Sequence, residues 1–387
     1  MNTLKAIYRI TTPMFIAGAE KDMVELRPPS FKGALRFWFR AVALSYVKSW
    51  QDVKSKEAKL FGSTDTGQAG FLLKLNSEPG NKLTTVSARQ VWQNGLGSTY
   101  LGYGAIGYSK GNNILNRAFI KEGSVFTATL VFKKDIQEED INLIKQSLIA
   151  LGLLGGLGSR SRRGFGSVCL EKLLYKEQVI WQAPANKREL QERIREILPA
   201  AGLWRELPEY TAFSEHSRIS IAKTGPDSLK LLDEIGQEMI RYRSYGRKDK
   251  KSGKYVILRG ELAEQNFKPD HDCVWAVANG KRANNHPERV TFGLPHNYHF
   301  TNTKDRNVTV NAERHKRRAS PLFIHIHQLN NKEYAAVLTL LPARFLPVKE
   351  KIKVKNQPFP LNPNLEQYQV IKDFFSRFPD RVEVIKN

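Results

Sequence analysis

A chain of 387 residues exceeds what one hydrophobic core usually supports, so two domains are the starting expectation. Its 61 Lys and Arg against 38 Asp and Glu leave a net charge of +23, a self-repulsion that a polyanionic partner would relieve. No apolar run reaches the ~18 residues of a spanning helix, and Met1-Asn2-Thr3-Leu4-Lys5 opens no secretory core. Membrane is therefore excluded as the polyanion, a cytoplasmic location is expected, and nucleic acid remains.

In chain order, Thr3 to Thr12 sets Leu4, Ala6, Tyr8 and Ile10 on one face, which predicts a first strand. Pro28-Pro29 stops extended structure and Ser30 can cap a helix whose Phe31, Ala34, Leu35, Trp38, Val42, Tyr46 and Trp50 recur at helical spacing. Phe71 to Leu75 and Val125 to Phe132 read as strands, Asp140 to Leu154 as a second amphipathic helix, and Val168 to Leu174 as a closing strand. The order β-α-β-β-α-β is that of a ferredoxin-like, RRM-like unit. A glycine- and tyrosine-rich insertion, 77–122, interrupts it. Prolines and the charged stretch Lys187 to Ile197 mark 181–210 as a helical linker. Beyond it, strands at Arg218 to Ala222, Leu322 to Gln328, Tyr334 to Leu341 and Arg381 to Ile385, with helices at Asp227 to Arg243 and Leu365 to Phe375, repeat the order in degraded form. The expected fold class is α+β, two tandem ferredoxin-like domains over 1–180 and 211–387. Residues 244–318 show no readable pattern.

Chemistry concentrates in the run from Gly155 to Gly166. Gly156, Gly158, Gly164 and Gly166 let backbone approach phosphate, and Ser159, Arg160, Arg162 and Arg163 offer donors. The run lacks the Gly-Lys-Ser/Thr ending of a nucleotide loop and the third glycine of a dinucleotide fingerprint. Its arginines are expected to be exposed, with little part in packing. Lys32, Arg36 and Arg40 repeat every four residues along the first helix, either an RNA-facing stripe or a solvated face. Tyr103 and its neighbours, with Trp92, supply flat surfaces for unstacked bases or the core of a small subdomain. Arg247 and Lys248 head a basic run. Cys169 and Cys273 match no zinc spacing and read as structural thiols. His325 and His327 share a strand face, which permits metal binding, but spacing places no third ligand. No cofactor, no metal and no catalytic residue is expected.

The glycine-rich loop before the last strand of a ferredoxin-like unit resembles the signature of the RAMP superfamily. Ile10-Thr11-Thr12-Pro13-Met14-Phe15, the string from Arg27 to Ala41, and Leu60-Phe61-Gly62-Ser63 resemble, within it, the first-subunit family of type III-B (Cmr) CRISPR effectors. The resemblance also touches Glu313-Arg314 to Ser320-Pro321-Leu322, but Phe378-Pro379-Asp380 stands where a second glycine-rich loop would fall. It implies a non-catalytic RNA-binding subunit in antiviral defence, with guide RNA, target single-stranded RNA and neighbouring RAMP subunits as partners. The enzyme alternative is a metal-independent RAMP endoribonuclease that processes CRISPR RNA, for which His296, His299, His325 and His327 are the candidate acid-base groups.

Overall fold

The computed structural model describes residues 2–18, 20, 23–47, 49–77, 83–200, 202–283, 285–300, 307–315, 317–330, 333–354, 357–359 and 366–385. The protein is a mixed α/β structure built around two antiparallel sheets. In the first, Thr3–Ile10 lies between Val125–Phe132 and Val168–Tyr175, with Phe71–Ser77 and Gln178–Gln182 at the edges. In the second, Arg218–Gly225 lies between Tyr334–Leu340 and Val382–Ile385, with Leu322–Gln328 beyond. Each half therefore places its first strand between its third and fourth, and its second beside the third.

The first helical pattern divides in two. α1 spans Pro28–Val47, and Ser49 caps a separate α2, Trp50–Phe61, by accepting from the Asp52 N–H at 3.4 Å. Within the insertion, α3 (Leu96–Leu101) is followed by a small hairpin of Ile106–Ser109 and Asn112–Leu115. α4 (Glu138–Leu154) completes the first half, and α5 (Lys187–Glu196) fills the expected linker. α6 (Ser228–Arg243) starts on the Asp227 cap, α7 spans Lys268–Ala278, and α8 spans Gln369–Ser376. Leu365, the expected start of that last helix, lies outside the described residues, as do 78–82 of the insertion. The unreadable stretch 244–318 contributes α7 and two strands, His296–His299 and Asn307–Ala312, of a third sheet that Ile352–Val354 and Gln357–Phe359 complete. Among the described residues no helix is long and apolar enough to cross a membrane.

Burial explains how the halves meet. Alternation along the second sheet sends Ile219, Ile221, Phe323 and Val337 into the core that holds α1 and α4, whereas Ile324, Ile326 and Leu338 pack with α6 on the other face. Phe323 lies 5.6 Å from Trp38 and 5.4 Å from Phe37 between ring centroids. The helices of the first half are thus roofed by the sheet of the second. The insertion ties them again. Gly97 of α3 and Gly236 of α6 meet backbone to backbone, because a Cβ on Gly236 would stand 2.7 Å from the Gly97 Cα, and Ser98 N–H donates to Asp233 at 2.8 Å.

Two glycines separate packing from propensity. Gly33, exposed in α1, has open space where a Cβ would stand, so Gly33→Ala should stabilise by about 0.5–1 kcal/mol. Gly166 has φ 61° and its Cβ would collide with the Leu157 carbonyl, so Gly166→Ala should lose at least about 1–2 kcal/mol from backbone conformation alone. Chemical denaturation of the two variants beside wild type measures both signs.

Candidate nucleic-acid interface

The glycine-arginine loop is wedged between the halves. On one side Gly166 N–H donates to Pro13 at 2.9 Å, Ser159 N–H to Phe15 at 2.8 Å, and the Thr12 hydroxyl to the Gly164 carbonyl at 2.6 Å. On the other, the Ile324 N–H donates to the Arg162 carbonyl at 3.0 Å, and Arg163 bridges to Ile324 in parallel fashion. The glycines serve these approaches. A Cβ on Gly164 would come within 2.5 Å of Leu232, on Gly158 within 2.5 Å of the Phe15 carbonyl, and on Gly156 within 2.7 Å of the Gly166 carbonyl.

The expected exposure of the arginines is corrected by this wedge. Arg162 lies over Phe323 at 4.5 Å and Phe37 at 5.0 Å and donates to the Ser320 carbonyl. Burial, reinforced by Arg318, pulls its guanidinium down to about 10. Arg160 holds a left-handed φ of 65°, and burial lowers it, with Arg117 and Arg317 adding repulsion and Tyr103 opposing. Arg163 is lowered by burial, with Tyr100 opposing and Arg160 repelling. Ser159 accepts from Arg117 at 3.1 Å.

Two clefts are rich in arginine, and the loop lines the larger through Arg162. One, of about 780 Å³, is lined by Arg40, Arg162, Arg317, Arg318 and Arg344 around Phe37. The other, of about 490 Å³, is lined by Tyr100, Arg243, Arg289, His296 and Tyr298, with Gly246 and Val256 at the foot of the exposed Arg247–Lys248 hairpin. Burial brings Arg243 down to about 10, with Tyr100 opposing and Arg289 and Arg163 adding to it. Among the described residues, Arg117, Arg160, Arg162, Arg163, Arg243, Arg289, Arg317 and Arg318 form no ion pair with a carboxylate, whereas Arg40 and Arg344 of the larger cleft pair with Glu57 at 3.2 Å and Glu209 at 3.7 Å, and arginines elsewhere in the fold are paired too. The carboxylate acting on Arg289, Asp270, gives its oxygens to the Glu288 and Arg289 N–H groups at 2.9 and 2.7 Å. Among the described residues, the buried Nε–H groups of Arg243, Arg289 and Arg318 have no hydrogen-bond partner. Crowded, desolvated and unpaired guanidinium groups are costly, and phosphate oxygens would supply both the missing charge and the acceptors.

The other expected site residues divide. Tyr103 is 68% exposed beside Arg160 and can present a ring to a base, whereas Trp92, 5% exposed, packs with Phe119 and Phe165 in the core that also holds α6 and one face of the second sheet. The stripe on α1 is tied to its own half. Lys32 stands 5.8 Å from the Phe71 ring, Arg36 donates to the Gly62 carbonyl at 2.6 Å, and Arg36 and Arg40 share Glu57 at 3.1 and 3.2 Å. Of these three, Arg40 alone lines a cleft. His325 and His327 are fully buried, and His299 turns to Asn307 at 2.8 Å. His296 enters the smaller cleft, where burial and then Arg243, Arg289 and Arg163 hold it well below the usual histidine range. Sequence reasoning did not single out Arg117, Arg289, Arg317 or Arg318 as site residues. Arg317-Arg318, in a basic run just before the Leu322–Gln328 strand, offered the most readable signal.

Fold and site together define a mixed α/β protein whose halves meet at an arginine-lined seam. A family model for the RAMP superfamily matches residues 8–169. The CRISPR system Cmr subunit Cmr1-2 of Pyrococcus furiosus is 30% identical over 175 residues, covering 42% of this chain and 91% of that protein. The Cmr subunit Cmr1-1 of the same organism is 26% identical over 350 residues, 88% of each chain. The crystal structure of Cmr1 from Pyrococcus furiosus in its apo form shares the fold with a TM-score of 0.55 at 19% identity, covering 99% of both chains. The chain belongs to the RAMP superfamily.

Arg243 separates binding from stability. Replacing a buried, unpaired charge by an apolar side chain of similar length is neutral or stabilising, so Arg243→Met should leave the free protein at least as stable as wild type. It should bind single-stranded RNA at least about tenfold more weakly, because a charge-assisted bond contributes about 1.5–3 kcal/mol and each 1.4 is tenfold. A denaturation curve and a binding titration on the same preparation read both effects.

Proposed function

We propose that this chain is a non-catalytic RNA-binding subunit of a type III-B CRISPR effector complex, formed by two tandem ferredoxin-like units over 1–180 and 211–387. Its partners are guide RNA, target RNA and neighbouring RAMP subunits. The observation that carries this reading is the seam between the halves, where eight arginines form no ion pair with a carboxylate among the described residues, supported by similarity to proteins named as Cmr subunits. Guanidinium groups placed by a loop backbone suit a sugar-phosphate chain and leave sequence to base pairing. Arg160, Arg162 and Arg163 occupy the middle of the track. Tyr103 and the Arg247–Lys248 hairpin extend its rim, and Arg40 belongs to its far wall.

A guide-processing ribonuclease is the second reading, favoured by the meeting of His296 and Tyr298 in an arginine-lined cleft, their rings 5.0 Å apart. The electrostatics weigh against it. A histidine held well below its ordinary range is a weak base at neutral pH, and burial raises the Tyr298 hydroxyl. The test incubates the purified chain with end-labelled repeat RNA in chelator while measuring binding. Retention of RNA with no cleavage product is expected. A product that disappears in His296→Ala would establish the enzyme instead. Binding by phosphate contacts also implies a slope of log affinity against log salt near −4 if about six contacts form, at about −0.7 each.

A further inference from the structure

Cys169 and the pair His325 and His327 converge although 156 residues of sequence separate Cys169 from the nearer histidine. Cys169 stands near the start of the Val168–Tyr175 strand in the first half. The histidines stand on Leu322–Gln328, on the face that carries Phe323 toward α1 and α4. All three side chains are buried, and their donor atoms lie within 4.8 Å of one another. His325 Nε2 is 3.2 Å from His327 Nδ1, which is 3.4 Å from Cys169 Sγ.

Proton bookkeeping shows that these atoms do not satisfy each other. His325 Nδ1 reaches the Gly155 carbonyl at 2.7 Å, and a carbonyl only accepts, so the proton sits there and Nε2 presents a lone pair. If the Cys169 S–H donates to His327 Nδ1, two nitrogen lone pairs face each other. If His327 instead carries its proton on Nδ1 and donates to His325, its Nε2 lone pair finds no donor among the described residues, because the Gly152 carbonyl that acts on this imidazole only accepts. Either arrangement leaves one nitrogen unsatisfied, a costly condition in a buried cluster.

We propose that Cys169, His325 and His327 bind a zinc ion between the two halves of the protein, through Sγ, Nε2 and Nδ1. Tetrahedral zinc with bonds of about 2.0–2.1 Å to nitrogen and 2.3 Å to sulfur separates its ligands by about 3.3 Å (N to N) and 3.5 Å (N to S). Two of the three spacings, 3.2 and 3.4 Å, fit that geometry, and the third, from Sγ to His325 Nε2, lies within 4.8 Å. The carbonyl on His325 Nδ1 is the outer partner that a zinc-bound imidazole usually has. Gln328 N–H donates to the sulfur at 3.1 Å and would support the thiolate. Without metal, burial pushes the thiol up to about 12. Binding therefore releases one proton, from Cys169 to solvent, while the buried imidazoles are already neutral. Among the described residues no fourth His, Cys, Asp or Glu joins the cluster, which leaves the fourth position to water. The ligand set of one thiolate and two imidazoles favours zinc over magnesium or calcium.

A site this buried fills as the chain folds, so the test refolds the full chain from denaturant in zinc or in chelator. Expected are about one zinc per chain after gel filtration and a higher melting temperature than in chelator. Refolding with cobalt should give a thiolate-to-cobalt charge-transfer band that Cys273→Ser keeps and Cys169→Ser loses. If Cys169→Ser does not fold, the wild-type cobalt spectrum decides alone. Metal-free protein after refolding in zinc, with equal melting temperatures in zinc and chelator, would overturn the site, as would a cobalt spectrum without the thiolate band.

Discussion

The backbone of residues 155–166 is shared between two sheets. Its amides bond back to Pro13 and Phe15 at the end of the first strand, while the Arg162 carbonyl accepts from Ile324 at the start of the second half's Leu322–Gln328 strand. A loop held from both sides cannot move independently of either half, so its side chains are placed by the whole protein. The glycines with φ near 83° at 158 and 164 and 61° at 166 allow the close approach. Of the arginines between them, Arg162 lines the larger cleft.

That placement carries an energetic cost in the free chain. Arg162 and Arg243 are drawn to about 10 by burial, and Arg160 and Arg163 repel each other across the loop. Arginines with purely structural roles look different here. Arg218 is bonded to Glu383 at 2.5 Å, and Arg377 to Glu238 at 2.6 Å. Most arginines of the seam lack such a carboxylate partner among the described residues, Arg40 and Arg344 being the exceptions, and unpaired buried charge lowers the stability of the free chain. The Cys169, His325 and His327 cluster lies at the same junction, so a zinc ion there would tighten the contact that positions the loop.

Much of the framework was legible in sequence because the elements that build it have strong local periodicity. Val125–Phe132 was located to the residue, and Leu322–Gln328 alternates so strictly that Phe323, His325 and His327 fall on one face. The site was legible in part. The glycine-arginine run announced itself, but its burial did not, since nothing local says that Phe37 and Phe323 close over Arg162. The third sheet was unreadable because it joins strands of three to six residues drawn from His296 to Phe359. α2 was missed because its exposed face dilutes the apolar spacing. Cys169 as a partner of the histidines is a product of tertiary contact alone.

The central claim is that RNA runs along the seam between the halves. Its most direct test is photocrosslinking of thiouridine-substituted single-stranded RNA to the full chain, followed by mass spectrometry of the linked peptides. Cross-links are expected on peptides holding Tyr100 and Tyr103, the 155–166 loop, and His296–His299. Cross-links confined to α5 or to the outer Gln178–Gln182 strand, with the seam peptides unmodified, would contradict that claim.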